Sequence, residues 1–478
     1  MIARYLMLPL IAPLLALFSA CALAPRYQAP GVAVVDHYKE AGEWVPASPA
    51  DAEPRGAWWQ AFGDPQLDQL QDTLHAASPE LQAAMARYQQ ARAAALSAWS
   101  GLYPAVNADG SALRARSSAN APHSAGVSTL GNDYTLAGNF SWELDLFGRL
   151  RNQAVAARAR AQASAGDLAA LALALQAELA SDYFALRGND AIQQLFGQTV
   201  QTYDRAAELT RNRYDGGIAS ATDVEQAETQ RQSAAAQLAA LRLQRAQLEH
   251  AIAILLGQAP AKFTLAPAPL QGVLPPLGTP LPSTLLQRRP DVASAERQLA
   301  AANAGIGAAR AAWFPVFSFG GSAGYESTTS SNWLAAPSRF WAAGPALQLP
   351  LFDGAARVAR TRQAHARFDE ALANYRQAAL TAYREVEDNL AALHYLGNGL
   401  AADEAAAAAA KQAAFHANQR YLAGVADYVE VTSTQTAALQ SQRAALETRV
   451  AQLNAAVGLI RALGGGWNAQ PLDRPLQP

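Results

Sequence analysis

The chain carries the same pattern twice, and this duplication constrains its fold more than any other feature of the sequence. Pro79 and Pro290 each open an Ala-rich helical stretch and lie 211 residues apart. A second pair of motifs, Arg213–Ala219 and Arg420–Ala426, repeats at an offset of 207 residues. A slowly drifting offset indicates an old tandem duplication with small insertions and deletions in loops. We therefore expect two equivalent halves, each a helix–strand–strand–helix–helix unit.

The N-terminus has the pattern of a bacterial export signal. Arg4 supplies positive charge, Leu6–Leu17 is apolar, and small residues precede Cys21. Cys21 is the only cysteine in the chain, which excludes a disulfide framework. Its position resembles a lipobox, in which the thiol receives a diacylglyceryl group, and Ala22 after it favours sorting to the outer membrane. Because Phe18 stands where lipoproteins prefer leucine, an ordinary signal peptide with an incidental cysteine is the alternative.

The rest of the chain lacks the composition of a helical membrane protein or a nucleic-acid binder. After residue 21 no run of 18 apolar residues occurs, so we expect no transmembrane helix in the mature protein. Any membrane crossing would then use β-strands. The formal net charge is -2 and no basic stripe stands out, which argues against nucleic acid as a partner.

Long helices dominate the expected secondary structure. The segment opened by Phe62–Pro65 has leucines at helical spacing. Four longer tracts are rich in Ala, Gln, Glu, Arg and Leu, which are strong helix formers. A tract of about 64 residues would extend about 95 Å, and such a helix is stable only when bundled along its length. The four predicted tracts are 149–212, 220–256, 354–418 and 427–463.

Four short segments between the helices alternate as strands do. In Phe140–Leu146 the apolar side chains point one way and the polar ones the other, and Leu347–Leu351 is its counterpart. The first strand of each pair is expected near 103–117 and 314–327, with hydrophilic loops at 117–132 and 326–332. This pattern is typical of a transmembrane barrel, and a soluble hairpin packed on the helices is the alternative. Four strands cannot close a barrel, so a barrel requires several copies of the chain.

Taken together, these motifs resemble the TolC-like outer membrane factors, and more closely their NodT-type lipoprotein branch. The order and spacing of the motifs over residues 55 to 467 carry the resemblance. The resemblance implies a homotrimer with a twelve-stranded outer-membrane barrel and a long periplasmic α-helical barrel. It also implies a periplasmic adaptor protein and an inner-membrane transporter of the RND type as partners. The matching pieces are Cys21, Trp59–Leu67, Phe147–Gly148, Arg288–Val292 and the two Arg-Tyr-x-x-Gly turns.

The resemblance places the two turns at the periplasmic tips, where such channels close and dock onto the adaptor. One departure concerns Ala426, where the family often carries an acidic residue, whereas here Asp427 follows it. The carboxylate ring of the gate is therefore expected to be shifted or weakened, with a helix cap as the alternative role of Asp427. The second turn is the expected gate. The implied gate residues are Arg213, Asp215, Arg420, Tyr421 and Asp427, and the implied adaptor contacts are Gly217, Ile218, Ala219, Gly424, Val425 and Ala426.

Enzyme activity is not expected. Gly320–Gly324 matches the G-x-S-x-G pattern of serine hydrolases but lies within strand alternation instead of a strand–turn–helix context. The seven histidines lack metal-ligand spacing, so neither a metal nor a cofactor is predicted beyond the lipid on Cys21. No phosphate-binding glycine loop occurs, so energy would have to come from a partner.

The sequence thus predicts a mainly α protein with a small transmembrane β part. The expected function is an outer membrane channel lipoprotein, lipid-anchored and extending into the periplasm, that forms the passive exit duct of a tripartite efflux pump. Two alternatives stay open: a channel for polypeptide export, and a lipid-anchored periplasmic coiled-coil scaffold without a channel. The expected segments are a signal peptide (1–20), a lipid-anchored tether (21–56), two repeats (57–265 and 266–467) and a C-terminal tail (468–478).

Overall fold

The computed structural model describes residues 24–29, 38–41, 56–120, 127–275 and 289–467. The predicted signal peptide, Cys21, Arg288 and the tail 468–478 lie outside the described residues, and the division into five segments stays a prediction. The described helices are α1 (Pro65–Ala77), α2 (Pro79–Ser100), α3 (Arg149–Asp215), α4 (Ala221–Leu255), α5 (Pro290–Ala311), α6 (Ala356–Leu422) and α7 (Tyr428–Ala462). The described strands are β1 (Ala105–Arg116), β2 (Leu130–Leu144), β3 (Val316–Ser327) and β4 (Arg339–Gln348).

The helix lengths confirm the duplicated unit. Helices α2 and α5 each contain 22 residues, α3 and α6 each contain 67, and α4 and α7 each contain 35. At 1.5 Å per residue, α3 and α6 each extend about 100 Å. Each long helix returns through a short turn as the antiparallel helix that follows it. The four predicted long tracts are therefore confirmed, with ends that differ by a few residues.

The helices form one layer in which the two halves alternate. Helix α3 packs against α2, α4, α5 and α7, and α6 packs against α5 and α7. Close approach depends on small residues: an added Cβ at Gly166 of α3 would lie 2.9 Å from the Pro290 carbonyl oxygen at the start of α5. The helices of the second half are thus interleaved with those of the first.

The strands form a single antiparallel sheet in the order β1-β2-β3-β4. The two hairpins join through β2 and β3, where Trp142 pairs with Phe319. The predicted strand 347–351 is wrong at both ends, because β4 starts at Arg339 and ends at Gln348, before Pro350. Likewise β2 ends at Leu144 but begins at Leu130, inside the predicted loop 117–132. Small and polar residues in these stretches weaken the alternation from which strands are read.

The register gives the sheet one apolar and one polar face. Paired residues share a face, so each face can be read across all four strands. Aromatic and aliphatic side chains dominate one face, which we call the apolar face, and include Val106, Leu136, Phe140, Trp142, Leu144, Phe317, Phe319, Ala323, Tyr325, Trp341 and Leu347. The other, polar face carries Asn107, Asp109, Ser111, Asp133, Thr135, Asn139, Ser141, Glu143, Ser318, Ser322 and Glu326.

A cluster of buried apolar side chains, which we call the hydrophobic belt, lies near the middle of the helical layer. Phe62 packs against Phe184 of α3, with ring centroids 5.1 Å apart, and Leu67 and Leu74 belong to the same cluster; all are almost fully buried. Asp64, which directly precedes Pro65, caps α1 by accepting hydrogen bonds from Gln66 and Leu67 N–H. Its other carboxylate oxygen accepts a hydrogen bond from the Tyr183 hydroxyl (2.7 Å). The segment before α1 is thus fixed on α3 at about half the length of that helix.

One described helix, α3, is long and apolar enough over an 18-residue window to cross a membrane by length and composition alone. A core helix of any protein passes the same test. Leu173, Leu175 and Leu179 of α3 lie in the hydrophobic belt, in contact with other parts of the chain. Packing within the chain therefore accounts for part of the apolar composition of α3, and the absence of a transmembrane helix stays a prediction.

Candidate functional site: the helix tips

The turn between α3 and α4 is a left-handed helix stop followed at once by a helix cap. Gly217 adopts φ of 79°, and Ile218 N–H donates to the Arg213 carbonyl oxygen (2.8 Å). Such a conformation strains residues with a Cβ, which explains the glycine. Ser220 and Asp223 form a reciprocal capping box that starts α4. The chain therefore reverses within five residues at the far end of a helix of about 100 Å.

The turn between α6 and α7 has the same backbone. Gly424 adopts φ of 75°, and Val425 N–H donates to the Arg420 carbonyl oxygen (3.0 Å). Asp427 caps α7, since its side chain accepts a hydrogen bond from Glu430 N–H (3.1 Å). The Arg420 guanidinium forms an ion pair with Glu430 (2.6 Å) across the turn. The second turn thus has a charged clasp between its two helices.

Two aromatic rings and an arginine join the turns. The Arg213 guanidinium lies over the Tyr421 ring at 4.8 Å, and Tyr421 meets Tyr428 edge-on at 5.3 Å. Tyr421 and Tyr428 are buried in a cluster with Ala227 and Val431. Burial, reinforced by the neighbouring Tyr421, raises the pKa of Tyr428 to about 12. Tyr428 therefore stays a neutral phenol within this cluster at physiological pH.

Polar atoms in this cluster are left without partners. The Tyr421 hydroxyl and Arg213 Nε are buried and make no hydrogen bond within the part of the chain that the structure describes. Buried polar atoms without partners cost free energy, about 1–3 kcal/mol each. The contact between the two hairpins is therefore weaker than its aromatic packing alone would make it.

Apolar side chains project from both tips. Ile218 is 71% exposed and Val425 is 66% exposed, whereas Ala219 and Ala426 are half-buried beside them. Leu422 and Val429 extend the exposed apolar surface of the second tip. Exposed apolar side chains gathered at one end of a molecule indicate a contact surface.

The structure brings together some of the predicted gate residues and separates others. Arg213 and Tyr421 meet across the two hairpins, and Arg420 lies at the same tip in its pair with Glu430. Asp427 is engaged as a helix cap. Asp215 is the last residue of α3, is exposed, and makes no hydrogen bond or ion pair with any described residue. The gate and adaptor roles of these residues stay predictions, and Cys21 lies outside the described residues.

Sequence reasoning missed two residues that organise the second tip. Glu430 is the partner of Arg420, and Tyr428 forms the buried ring contact. Both stand in the stretch Asp427–Glu430, which replaces Ser220–Asp223 of the first turn. The difference between the two copies was the signal that could have found them.

The hydrolase-like motif lies in the middle of the sheet. Ser322 of β3 pairs with Asn139 on one side and Ala342 on the other. A nucleophile elbow requires a sharp turn between a strand and a helix. The predicted strand around Gly320–Gly324 is confirmed, and Ser322 is not in such an elbow.

Comparisons with known proteins identify the family of this chain. The family model of outer membrane efflux proteins matches residues 70–258 and 281–465. The chain belongs to this family. The antibiotic efflux pump outer membrane protein ArpC of Pseudomonas putida is 33% identical over 464 residues, which cover 95% of this chain and 94% of ArpC. The toluene efflux pump outer membrane protein TtgC, from the same species, is also 33% identical over 464 residues, with the same coverage of both chains.

Solved structures of the same family have the same fold. The outer-membrane channel OprN superposes with a TM-score of 0.86 at 30% identity, covering 94% of this chain and 100% of OprN. This outer membrane efflux protein is therefore a channel protein whose helices extend into the periplasm. The predicted mainly α fold with a small β part, the outer-membrane location and the efflux function are confirmed. The lipid anchor and the trimer stay predictions. The relatives are named as outer membrane proteins of efflux pumps, and OprN is named as a channel. Ser322 is described only as a residue of β3.

Proposed function

We propose that three copies of the chain form one continuous duct, the passive exit path of a tripartite efflux pump. The observation that carries the proposal is the open, two-faced sheet. Strands β1 and β4 each pair on one side only within the described residues, and β1 is exposed along its whole length. Unpaired strand edges require partners, above all in a membrane. A second copy of the chain supplies them, β4 of one copy pairing with β1 of the next.

The number of copies follows from closure. Barrel diameter grows with strand number, and about eight strands leave an interior that side chains fill. Two copies would supply eight strands and three would supply twelve. A duct needs an open interior, which favours three copies, as the resemblance to TolC-like factors also implies. The apolar face then meets lipid and the polar face lines the interior.

The helices continue the duct through the periplasm. Their length of about 100 Å takes the tips far from the membrane, towards an inner-membrane partner. At the tips, Ile218 and Val425 are the exposed apolar residues that suit docking of the helical hairpin of an adaptor protein. Docking between the hairpins would compete with the Arg213–Tyr421 contact and spread the tips. An RND-type transporter in the inner membrane would supply the energy.

The exported compounds belong to the class of drugs or other small toxic molecules. Support comes from the relatives, whose names describe antibiotic and toluene efflux. Since similar relatives differ in cargo, the transporter is the expected determinant of the compound. Cys21 would carry the lipid anchor, because a cysteine directly after an export signal is the site at which such anchors are attached.

Heat-modifiable migration and conductance test the duct together. Outer-membrane fractions solubilised in detergent should give a trimer on unheated gels that converts on boiling to a monomer, smaller than the 50.4 kDa of the full chain because the signal peptide has been removed. The purified trimer should conduct ions in planar bilayers. A monomer released from membranes by cleavage of the anchor alone, without detergent, would refute the channel and favour the lipid-anchored scaffold.

The lipid anchor has a separate test. Cells grown with radiolabelled palmitate should label the wild-type protein but not a Cys21→Ser variant. The variant should still form a conducting trimer, since the strands and not the lipid cross the membrane in this proposal. Labelling of Cys21→Ser at the wild-type level would refute attachment at Cys21.

A further inference from the structure

A charged groove lies on one side of the helical layer, next to the sheet. Its volume is about 710 Å³. Helix α5 forms the floor with small residues such as Gly305 and Ala312, and α3 and α6 form the walls. Because both walls and the floor come from one chain, the groove lies within a protomer and not at its edges.

On the floor helix α5, the groove lies opposite the face that the N-terminal segment covers. Residues 298, 305 and 312 of α5 line the groove. Residues 296 and 303 lie about half a turn away, on the opposite face of the helix. That opposite face is covered by the N-terminal segment: Tyr27 donates a hydrogen bond to Glu296, and Asn303 donates one to the Pro25 carbonyl oxygen (2.9 Å).

The wall helices α3 and α6 are also covered on the side opposite the groove. On α3, Gln176 and Tyr183 face away from the groove and bind Trp58 and Asp64 of the segment around α1. On α6, Glu387 likewise faces away and accepts hydrogen bonds from Lys39 and Glu40 N–H. The described N-terminal residues and the segment around α1 therefore cover the side opposite the groove.

The groove is also continuous with the polar face of the sheet. Arg149 in the α3 wall forms an ion pair with Glu143 (2.6 Å), which belongs to that polar face. In the proposed duct the polar face lines the interior. The bare side of the helical layer, and the groove with it, then faces the interior as well.

Positive charge predominates in the groove. Arg160, Arg360 and Arg367 line it, are exposed, and form no ion pair with any described residue. The groove also contains two carboxylates. Asp167 accepts a hydrogen bond from the Ser294 hydroxyl (2.5 Å), and Glu370 lies on the α6 wall. With Arg149 neutralised by Glu143, three unpaired arginines face two carboxylates.

We propose that these three arginines form a collar inside the duct, directly below the barrel, that favours the passage of anionic solutes. The proposal rests on the proposed channel function and adds a class of solute to it: small anions, including organic carboxylates. Three copies of the chain would bring nine such arginines around one lumen. Rings of arginine or lysine are a known means of making a pore prefer anions. Guanidinium groups suit carboxylates because they can bind both oxygens at once.

Reversal potentials of the purified trimer across a KCl gradient test the collar. The test variant is Arg160→Gln, Arg360→Gln and Arg367→Gln combined. The control combines Arg158→Gln, Arg362→Gln and Arg376→Gln, which removes the same charge from exposed positions on the opposite side of α3 and α6. A reversal potential reports selectivity and does not depend on how many of the channels are open.

We expect the chloride-to-potassium permeability ratio to fall at least about two-fold in the test variant and to stay unchanged in the control. Replacing chloride by benzoate should preserve the difference between the variants. Equal ratios in all three proteins would overturn the collar while leaving the duct intact. Absence of conductance in the wild type would instead refute the channel itself. If the triple variant does not assemble, the three single variants should each shift the ratio in the same direction, and no shift in any of them would overturn the collar.

Discussion

At the scale of single residues, two roles were predicted for Asp427: a carboxylate of the gate and a helix cap. Its position one residue after Ala426 suggested a displaced gate carboxylate. In the structure its side chain accepts a hydrogen bond from Glu430 N–H and begins α7. The cap keeps the first turn of α7 wound, and this turn carries both Tyr428 and Glu430. Asp427 therefore acts on the tip contacts through the helix.

Substitutions of Asp427 can separate the cap from the charge. Asp427→Ala removes the acceptor and should cost about 1 kcal/mol in local stability. We expect it to increase leakage of antibiotics into cells, because a frayed α7 loosens the Arg420–Glu430 pair. Asp427→Ser keeps an acceptor without the charge and should behave like the wild type. Asp388→Ala removes the same charge from an exposed position on α6, far from the tips, and serves as the control. If the Ala and Ser variants both leak more than the wild type, and by the same amount, the charge of Asp427 and not its cap closes the tip.

Asp182 of α3 gives a pH-dependent prediction. Burial, together with the nearby Glu178 carboxylate, raises the pKa of Asp182 to about 6. The folded protein therefore holds this proton more tightly than the unfolded chain, and the stability contributed by this group decreases as the pH rises from about 4 to about 6. Asp182→Asn removes the cost of ionisation. It should raise the thermal unfolding temperature at pH 8 and leave it nearly unchanged at pH 4.

An exposed carboxylate provides the comparison for Asp182. Asp388→Asn on α6, where the side chain is 71% exposed, should have little effect at either pH. The measurement is thermal unfolding in detergent at both pH values. An Asp182→Asn effect of the same size at pH 4 and pH 8 would refute the raised pKa.

At the scale of elements, a buried ionic network fixes the base of the first helical hairpin. The Asp190 carboxylate of α3 forms ion pairs with Arg187 (3.0 Å) and with Arg245 of α4 (2.7 Å). Arg245 also pairs with Glu249 (3.0 Å), whose carboxylate accepts a hydrogen bond from Leu265 N–H. The network connects two helices and the loop after α4. Because its members lie up to about 80 residues apart, no local pattern in the sequence predicts this network.

Removing Asp190 should be costly. Asp190→Ala leaves Arg187, which is 3% exposed, without its counter-charge and should reduce stability by about 3–5 kcal/mol. Asp388→Ala breaks a pair of 3.9 Å between exposed side chains and should cost about 0–1 kcal/mol. Denaturant unfolding of the two variants makes the comparison. Similar losses would mean that the buried network contributes no more than a surface pair.

The elements also show where sequence patterns are reliable. The long helices were predictable because their composition is uniform and glycine and cap residues mark their ends, as at Gly217 and Ser220. The strands were less predictable at their ends. Gly, Ala, Ser and Asn in β2 and β4 give little alternation, and β2 therefore began at Leu130 within a predicted loop.

At the scale of the whole molecule, the two faces of the sheet decide how the chain meets a membrane. Ala323 and Ser322 are neighbours in β3 but belong to opposite faces. Ala323→Arg would place a charge on the apolar face. An arginine facing lipid costs about 2–4 kcal/mol at the membrane midplane and less near its surfaces. We expect less trimer in the outer membrane for Ala323→Arg and normal amounts for Ser322→Arg.

The same pair of variants tests the orientation of the sheet. Ser322→Arg should alter conductance, because its side chain would project into the interior of the duct. Heat-modifiable trimer in membrane fractions and single-channel currents provide the two readings. If Ala323→Arg assembled normally and Ser322→Arg gave little trimer, the assignment of the two faces would have to be reversed.

The sequence by itself determined the duplication, the long helices, the four strands and the two tip turns. Each of these depends on neighbours along the chain: on helical spacing, on capping residues, or on a glycine where the backbone turns left-handed. Only the tertiary structure decided that the hairpins join through β2 and β3, that Arg213 stacks on Tyr421, and that three arginines share one groove. These contacts connect residues far apart in the chain, and they depend on register and on which helix packs beside which. No local signal contains that information.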